Sequence, residues 1–444
     1  MKRVWLIMMM VVLAAACGKE DVIVVDDDEP KIPERVIPVI PEDGMLPEIL
    51  ITIRDSEWTR LLEAFNKNKD TQEYIHCDVQ YLHGNQTEFV ADAGLRLKGN
   101  TSRRFPGEAG NLKHVHFGLH FNEYAKGQKM LGVSRLDLKW FKDDPAYCRE
   151  IFCYDLFHRA DVWTAISAGY TRLRIKVGDK ETYMGVYILM EHVRGDYLTH
   201  RQELFGGKGG HLWKAKWGAS LKDPNARTGV DDNIHDYTYE LKSDSDGYQA
   251  AKEQLKGFIR KFNSLGGDDF YNWAEQNIDV PLLLRTYAVN VLVGMWDDYW
   301  TSGNNYYIYF NPAGKFYFIP YDYDNTLGTS QYYDSGRQDP LHWGDDEANP
   351  LVAKLLQRPE WREYYIKCLR DLCKGEFRAD VAIARIQQWH NIVTPYVRND
   401  TGQDNRVADR TASWSNHTEY RILKLGDNNF FTTKYDSVME IAGQ

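Results

Sequence analysis

Two short stretches near residue 300 concentrate the side chains that could do chemistry. The first runs Trp296-Asp297-Asp298-Tyr299-Trp300-Thr301-Ser302-Gly303-Asn304-Asn305-Tyr306-Tyr307, and the second Ile319-Pro320-Tyr321-Asp322-Tyr323-Asp324-Asn325-Thr326-Leu327-Gly328. Residues 308–318 between them read as a β-hairpin, with aromatic and β-branched runs flanking a Pro312/Gly314 turn. Such a hairpin brings carboxylates before it, the Asn305 amide at its start and carboxylates just after it to adjacent strand ends. Hard oxygen donors so placed suit Mg²⁺ or Ca²⁺. They also suit phosphoryl transfer, in which one Asp orients a hydroxyl while Asn and Asp hold metal on the phosphates. The plainer reading is an Asx-rich hairpin with ordinary turn chemistry.

Holding those ends in place requires a frame, and the periodicities describe one in two halves. Residues 48–53 alternate as a strand, and Asp55 and Ser56 offer N-caps to a helix carrying Trp58, Leu61, Leu62 and Phe65. Strand patterns follow at 77–81, 89–98, 114–121 and 135–139, with a loop of turn-forming and charged residues at 99–111. Asp144-Pro145 opens a helix with Arg149, Phe152, Cys153, Leu156 and Phe157 on a helical period, and strands resume at 170–177 and 185–190. Later segments are helical in pattern: 248–262, 270–296 with Pro281 at a helix start, and 350–400. A polar loop spans 329–349, and the tail closes with one more helix. A β-rich first half before a helical second half predicts an α+β, bilobal architecture.

Composition narrows the classes. The chain has 444 residues, 43% hydrophobic and 13% aromatic, enough for one large or two medium domains and too apolar for a disordered chain. A formal charge of -10 argues against a nucleic-acid partner, which would call for a basic face. At the start, Lys2 and Arg3 precede an apolar run, 4–16, that ends Ala14-Ala15-Ala16-Cys17. That is the form of a secretory signal, too short to span a bilayer. Small residues directly before Cys17 resemble a bacterial lipobox, and Lys19 followed by Glu20 and Asp21 resembles the export signal of surface-exposed Bacteroidetes lipoproteins. The expectation is a lipid on Cys17, membrane attachment through it, and display on the outer membrane. Residues 18–46, acidic and then punctuated by Pro30, Pro33, Pro38 and Pro41, read as a tether. The five remaining cysteines are odd in number and form no C-x-x-C pattern, so they are expected as buried free thiols.

Four segments in order resemble the spore coat protein H (CotH) kinase family: Arg96-Leu97-Lys98-Gly99-Asn100-Thr101-Ser102, Gly185 to Glu191, Asn305-Tyr306-Tyr307-Ile308-Tyr309, and Ile319-Pro320-Tyr321-Asp322-Tyr323-Asp324. The likeness runs from about residue 47 to about residue 435. It implies an atypical, secreted protein kinase fold, with the N-lobe at about 47–195, the C-lobe at about 196–435 and nucleotide in the cleft. The implied activity is transfer of phosphate from ATP to Ser hydroxyls of a protein substrate, with Mg²⁺ or Mn²⁺, by a monomer. By the same resemblance Asp297 or Asp298 is the catalytic Asp, with Asp297 the better match to the family's Asp-x-Tyr pattern. Asp322 would bind metal, although the family commonly has Trp where this chain has Tyr321. Asn305 would be the amide ligand, and Asp324 or Asn325 would support the metal or cap the next turn. Lys98 or Lys113 would meet the phosphates, Glu150 would orient that lysine, and Glu191 falls at a hinge between lobes. The loop 99–110 lacks G-x-G-x-x-G but could cover phosphates with backbone N–H groups.

Plainer readings exist for each residue. Arg96 and Lys98 fit a solvated strand face, Glu150 fits helix-start electrostatics, and His342 beside Trp343, Asp345 and Asp346 fits a polar loop. For the whole chain the alternatives are a surface binding or adhesion protein that keeps the scaffold without turnover, and a glycoside hydrolase. The second lacks an acid/nucleophile pair with independent support.

Overall fold

Strands that alternate buried and less buried residues along part of their length, and are buried on both faces elsewhere, build the first half. The computed structural model describes residues 34–230, 236–243 and 247–442; the signal peptide, Cys17 and the first part of the expected tether lie outside them. Strands β1 (Glu48–Ile53), β2 (Ile75–His83) and β3 (Gln86–Lys98) are followed by a two-residue pair, β4 (Gly107–Glu108) and β5 (Asn111–Leu112). Then come β6 (His116–His120), β7 (Arg135–Lys139), β8 (Ala168–Val177) and β9 (Lys180–Glu191). Helix α1 (Asp55–Lys67) follows β1, with Trp58, Leu61 and Leu62 buried, and α2 (Arg149–Arg159) separates β7 from β8.

Seven of these strands close into a barrel in the order β1-β2-β3-β6-β7-β9-β8. Closure comes from parallel pairing of β1 with β8, Ile49 opposite Leu173 and Ile51 opposite Ile175. The sequence pattern suggests a sheet with one inserted helix and is silent on closure, because alternation within a strand carries no information about a partner about 120 residues away. Leu95, Leu97, Phe117, Leu119, Leu136 and Leu138 are all buried. The intervening residues of β3, β6 and β7 face the other way, and period-two geometry puts Lys98, His116 and Lys139 in one row there.

Part of the expected tether is fold. Ile37 and Val39 are buried, Tyr170 N–H donates to the Val39 carbonyl (3.0 Å), and Arg35 pairs with Asp155 (2.8 Å). Gly169 permits that contact, since a Cβ there would lie 1.9 Å from the Pro38 oxygen.

The second half combines helices with a five-stranded sheet. After α3 (Gly195–His200) come β10 (His211–Ala215), β11 (Thr228–Gly229) and β12 (Tyr239–Leu241). Helices α4 (Tyr248–Ser264), α5 (Gly267–Asn277), α6 (Val280–Val293) and α7 (Tyr299–Ser302) lead to the hairpin of β13 (Tyr306–Phe310) and β14 (Phe316–Pro320). The sheet order is β11-β12-β10-β13-β14, and the hairpin register sets Tyr306 opposite Pro320. The single pattern at 270–296 divides because Asp279 caps a new helix, accepting from Leu282 N–H (3.2 Å), with Pro281 at its first turn. Helices α8 (Leu351–Leu355), α9 (Pro359–Lys374), α10 (Ala379–Val393) and α11 (Phe430–Ala442) complete the chain. The architecture is α+β as expected. The described residues form one compact unit with a continuous core, so two lobes are not separated as independent bodies. All five described cysteines are free thiols, four of them buried, and no described helix is long and apolar enough to cross a membrane.

Candidate active site

Lys139, the last residue of β7, is the hub of the site. Its ammonium contacts Glu150 Oε2 (2.7 Å) from α2, Asp324 Oδ2 (3.1 Å), and Asp322 Oδ1. The two aspartates arrive on the chain leaving β14, where Asp322 adopts φ +65° and its N–H donates to the Tyr154 hydroxyl (3.0 Å). Left-handed backbone is uncommon for a non-glycine residue, though Asp tolerates it better than most. The Arg149 guanidinium locks the α2 side, donating to Asp144 Oδ1 (2.7 Å), the Thr326 carbonyl (3.1 Å) and the Arg410 carbonyl (3.2 Å).

The electrostatics are unequal across the cluster. Burial opposes charge on Lys139, but Asp322, Asp324 and Glu150 outweigh it and hold its pKa well above the ordinary value. Burial pushes Glu150 up to about 8, against the pull of Lys139, and its Oε1 has no hydrogen-bond partner among the described residues. Burial likewise raises Asp324 to about 6, with Asp322 adding to the rise. Burial alone would raise Asp322 too, yet Lys139 overrides it and lowers the pKa. Side-chain exposure runs from 2% at Glu150 through 23% at Asp324 to 38% at Asp322, so Asp322 is the member open to a ligand.

Oxygen atoms of Glu150, Asp322 and Asp324 lie within 4.8 Å of one another. Three carboxylates on one buried focus, with an acceptor left unpaired, fit a hard divalent cation such as Mg²⁺ or Mn²⁺. They line a cleft of about 760 Å³ of empty space, partly open to solvent, together with Lys98, His116, Asp137, Asp297 and the loop Gly99-Asn100-Thr101-Ser102. Gly99, at φ +103°, makes the loop possible, since a Cβ would meet Ser102 Oγ at 2.3 Å.

Asp297 also lines the cleft. Its backbone carbonyl and Oδ2 accept from Asn305 Nδ2 (2.8 and 3.2 Å), and Oδ1 accepts weakly from Ser302 and Asn304 (both 3.4 Å). Burial raises its pKa, and nearby Asp322 adds to the effect. Asn305, at φ +54°, is therefore the residue that holds Asp297, and its amide NH₂ is spent on that task.

The other residues expected at the site are placed as follows. Lys98 lines the cleft, ion-paired with Asp137, whose Oδ2 also meets His192 Nδ1 (2.9 Å), and burial lowers Lys98 to about 8. Lys113 does not reach the cleft: its ammonium donates to Asn111 Oδ1 (2.8 Å) at the β4–β5 pair. Glu191 is sealed inside, held by Arg201 (2.7 and 2.9 Å) and Ser167 N–H (3.1 Å), and Arg201 overcomes burial to bring it down to about 2. It fixes the end of β9 and offers nothing to a ligand. Asp298 is turned inward, where Oδ1 caps α7 through Thr301 N–H (2.8 Å) and Oδ2 accepts from Asn290 (2.6 Å) and Trp343 (3.3 Å). Burial pushes it up to about 7. Adjacent carboxylates thus divide, Asp297 to the cleft and Asp298 to the core.

Lys139 is absent from the candidates drawn from sequence, although 135–139 reads as a strand. A lysine alternating with leucines looks like any solvent-facing strand residue. The available signal is its place at the end of a strand, 11 residues before the Glu at the start of the next helix.

Comparison with known proteins bears on this arrangement. The CotH kinase protein family signature matches residues 95–424. This chain belongs to the CotH kinase family. Similar proteins include the invasin CotH3 of Rhizopus delemar, 20% identical over 367 residues, covering 77% of this chain and 59% of that protein. The invasin CotH7 of the same organism is 22% identical over 308 residues, 68% of this chain and 49% of the relative. The inner spore coat protein H of Bacillus subtilis is 25% identical over 170 residues, 38% of this chain and 45% of the relative. The chain therefore spans roughly half the length of the relatives it matches. The matched region contains Lys139, Glu150, Asp297, Asp322 and Asp324.

Proposed function

We propose that this chain is an ATP-dependent kinase that transfers phosphate to Ser hydroxyls of a secreted or surface protein, acting as a monomer on a bilobal, kinase-like scaffold. The observation that carries the reading is one cleft lined by Lys139, held by Glu150, Asp322 and Asp324, and by Asp297. Lys139 would exchange its contacts with the two aspartates for phosphate oxygens and keep Glu150, the most buried of its three partners. Lysine serves phosphate as a point charge. Asp322 and Asp324 would hold a divalent cation, which supplies charge neutralisation on the phosphates when bound. Asp297 would accept a hydrogen bond from the acceptor hydroxyl and align it, with Asn305 fixing its direction. Lys98 and the 99–102 loop form the remaining wall.

Surface display, through a lipid on Cys17, is supported by the N-terminal pattern and by relatives named for a spore coat and for invasins. Those invasin names also support a second reading, adhesion or binding on the same scaffold without turnover. The discriminating experiment incubates the purified chain with labelled ATP and Mg²⁺ or Mn²⁺, alongside Lys139→Met, Asp297→Ala and Asp322→Ala. Each folded variant is expected to lose about 10²-fold or more of the label transfer. Transfer at wild-type rates in all three would overturn the assignment, and absence of nucleotide binding by the wild type would favour the adhesion reading.

A further inference from the structure

The row of side chains that lines the cleft continues beyond it along the outer face of β3 and β7. In register with Lys98, His116 and Lys139 come Arg96, Gly118 and Asp137, and then Gly94, His120 and Arg135. Arg96 Nε and Arg135 Nη1 both donate to the Tyr74 hydroxyl, at 3.1 and 3.3 Å, so two guanidinium groups converge on one phenol oxygen. Arg194, which follows β9, lines a second hollow together with Ser134, Arg135 and the carboxylates Glu191 and Asp196; its Nε donates to the Lys242 carbonyl (3.3 Å).

Among the described residues, none of these three arginines has a carboxylate within salt-bridge reach, and all are half-buried. The neighbouring acids are already engaged. Asp137 holds Lys98 and His192, Glu123 holds His120, and Asp196 holds Lys129 (2.9 Å) and Ser134 N–H (2.7 Å). Arg194 and Arg96 repel Arg135, with Glu123 a smaller opposing charge; like charges with no salt-bridged partner of their own raise the free energy of the folded state, the more so where water is partly excluded. They do so here in a chain whose formal charge is -10, so the patch runs against the global balance. A forked guanidinium pairs bidentately with a carboxylate or phosphate, and an incoming anion relieves the repulsion it finds.

We infer that Arg96, Arg135 and Arg194 form a docking surface for an acidic segment of the polypeptide that is modified in the cleft. This deepens the kinase reading and rests on it for the identity of the polypeptide as acceptor. Arg135 precedes Lys139 by four residues on one strand, about 13 Å at 3.3 Å per residue. An extended peptide with its serine in the cleft would therefore carry its acidic side chains about four residues away. Carboxylates and phosphoserine present the same chemistry to these arginines.

The test separates docking from catalysis by using binding without ATP. A fluorescent peptide carries Ala in place of the acceptor Ser and, about four residues away, Glu-Glu-Glu, Gln-Gln-Gln or three phosphoserines. Binding of each to the full chain is read by anisotropy. The Glu peptide is expected to bind at least 10-fold tighter than the Gln peptide. That preference should vanish in Arg96→Gln/Arg135→Gln, persist in Arg96→Lys/Arg135→Lys, and persist in Lys367→Gln/Arg378→Gln, which removes equal charge from α9 and the start of α10. The phosphoserine peptide shows which anion the surface prefers. Equal binding of Glu and Gln peptides overturns the inference, as does a preference that survives Arg96→Gln/Arg135→Gln or disappears equally in the remote control. If loss of the Tyr74 contacts unfolds the double variant, Arg194→Gln, whose Nε donates to a backbone carbonyl, must weaken the Glu peptide at least 3-fold and leave the Gln peptide unchanged. Failure of phosphoryl transfer with this preference intact would remove the kinase reading and leave an acidic-segment receptor.

Discussion

Two buried lysines sit in opposite electrostatic company. Lys139 has three carboxylates around it and stays charged, whereas Lys434 on α11 is fully buried with no hydrogen-bond partner on Nζ among the described residues and the face of Trp343 4.5 Å away. Burial pushes Lys434 down to about 7, with only partial compensation from Asp334. An unfolded lysine keeps its proton to about pH 10.4. Between pH 7 and that value the unfolded chain binds more protons at this position, so its contribution makes stability rise with pH across the window. Lys434→Met keeps the length and removes the amine. It is expected to stabilise the chain by about 1–3 kcal/mol near pH 6.5, with the gap shrinking towards pH 9.5. Urea unfolding of both proteins at the two pH values checks this, and a gap independent of pH would sink it. Residue type alone could not tell these lysines apart. Asp297, Asp322 and Asp324 were legible because carboxylates clustered by a hairpin are rare enough to notice. A strand lysine such as Lys139 acquires its role only from what the fold sets opposite it.

At the scale of elements, the four-residue helix α7 explains why Asp297 and Asp298 differ. Asp298 caps α7 and satisfies Asn290 and Trp343 in the core, while Asp297 makes only contacts at the edge of the cleft. Asp298→Ala removes the cap and strands the buried Asn290 amide, whereas Trp343 Nε1 keeps the Met295 carbonyl (2.8 Å), and should destabilise the chain by about 2–4 kcal/mol. Asp297→Ala should stay within about 1 kcal/mol of wild type while abolishing transfer. Denaturant unfolding of the two variants decides, and similar losses of stability would mean that the division between core and cleft is wrong. The sequence placed both in one motif because spacing does not show which way a side chain turns where a helix starts just after them. Strands, helices and the hairpin were readable from local period and turn chemistry. Closure of the barrel was not, since the β1–β8 pairing is a property of the whole path of the chain.

The molecule as a whole begins earlier than its composition suggests. Pro38, Pro41 and the charged residues around them read as tether, but this stretch presents Ile37 and Val39 to the core and lends the Val39 carbonyl to β8. Prolines fix an extended backbone without forbidding it to pack, and the deciding feature, Gly169 under Pro38, lies in another element. Two buried aliphatic side chains contribute about 3–6 kcal/mol together, and the Arg35–Asp155 pair is half inside. A chain starting at residue 45 should therefore melt about 5–10 °C below one starting at residue 34. The loss should fall on α2 as well as on β8, because Asp155 keeps Arg159 and Arg385 but loses Arg35. Since α2 also carries Glu150, the shorter chain should bind nucleotide more weakly even where it remains folded. Thermal melts and nucleotide titration of the two chains test both parts. Equal melting temperatures would show that the segment lies on the surface without supporting it, and equal affinity would show that α2 holds Glu150 in place without help from the N-terminal strap.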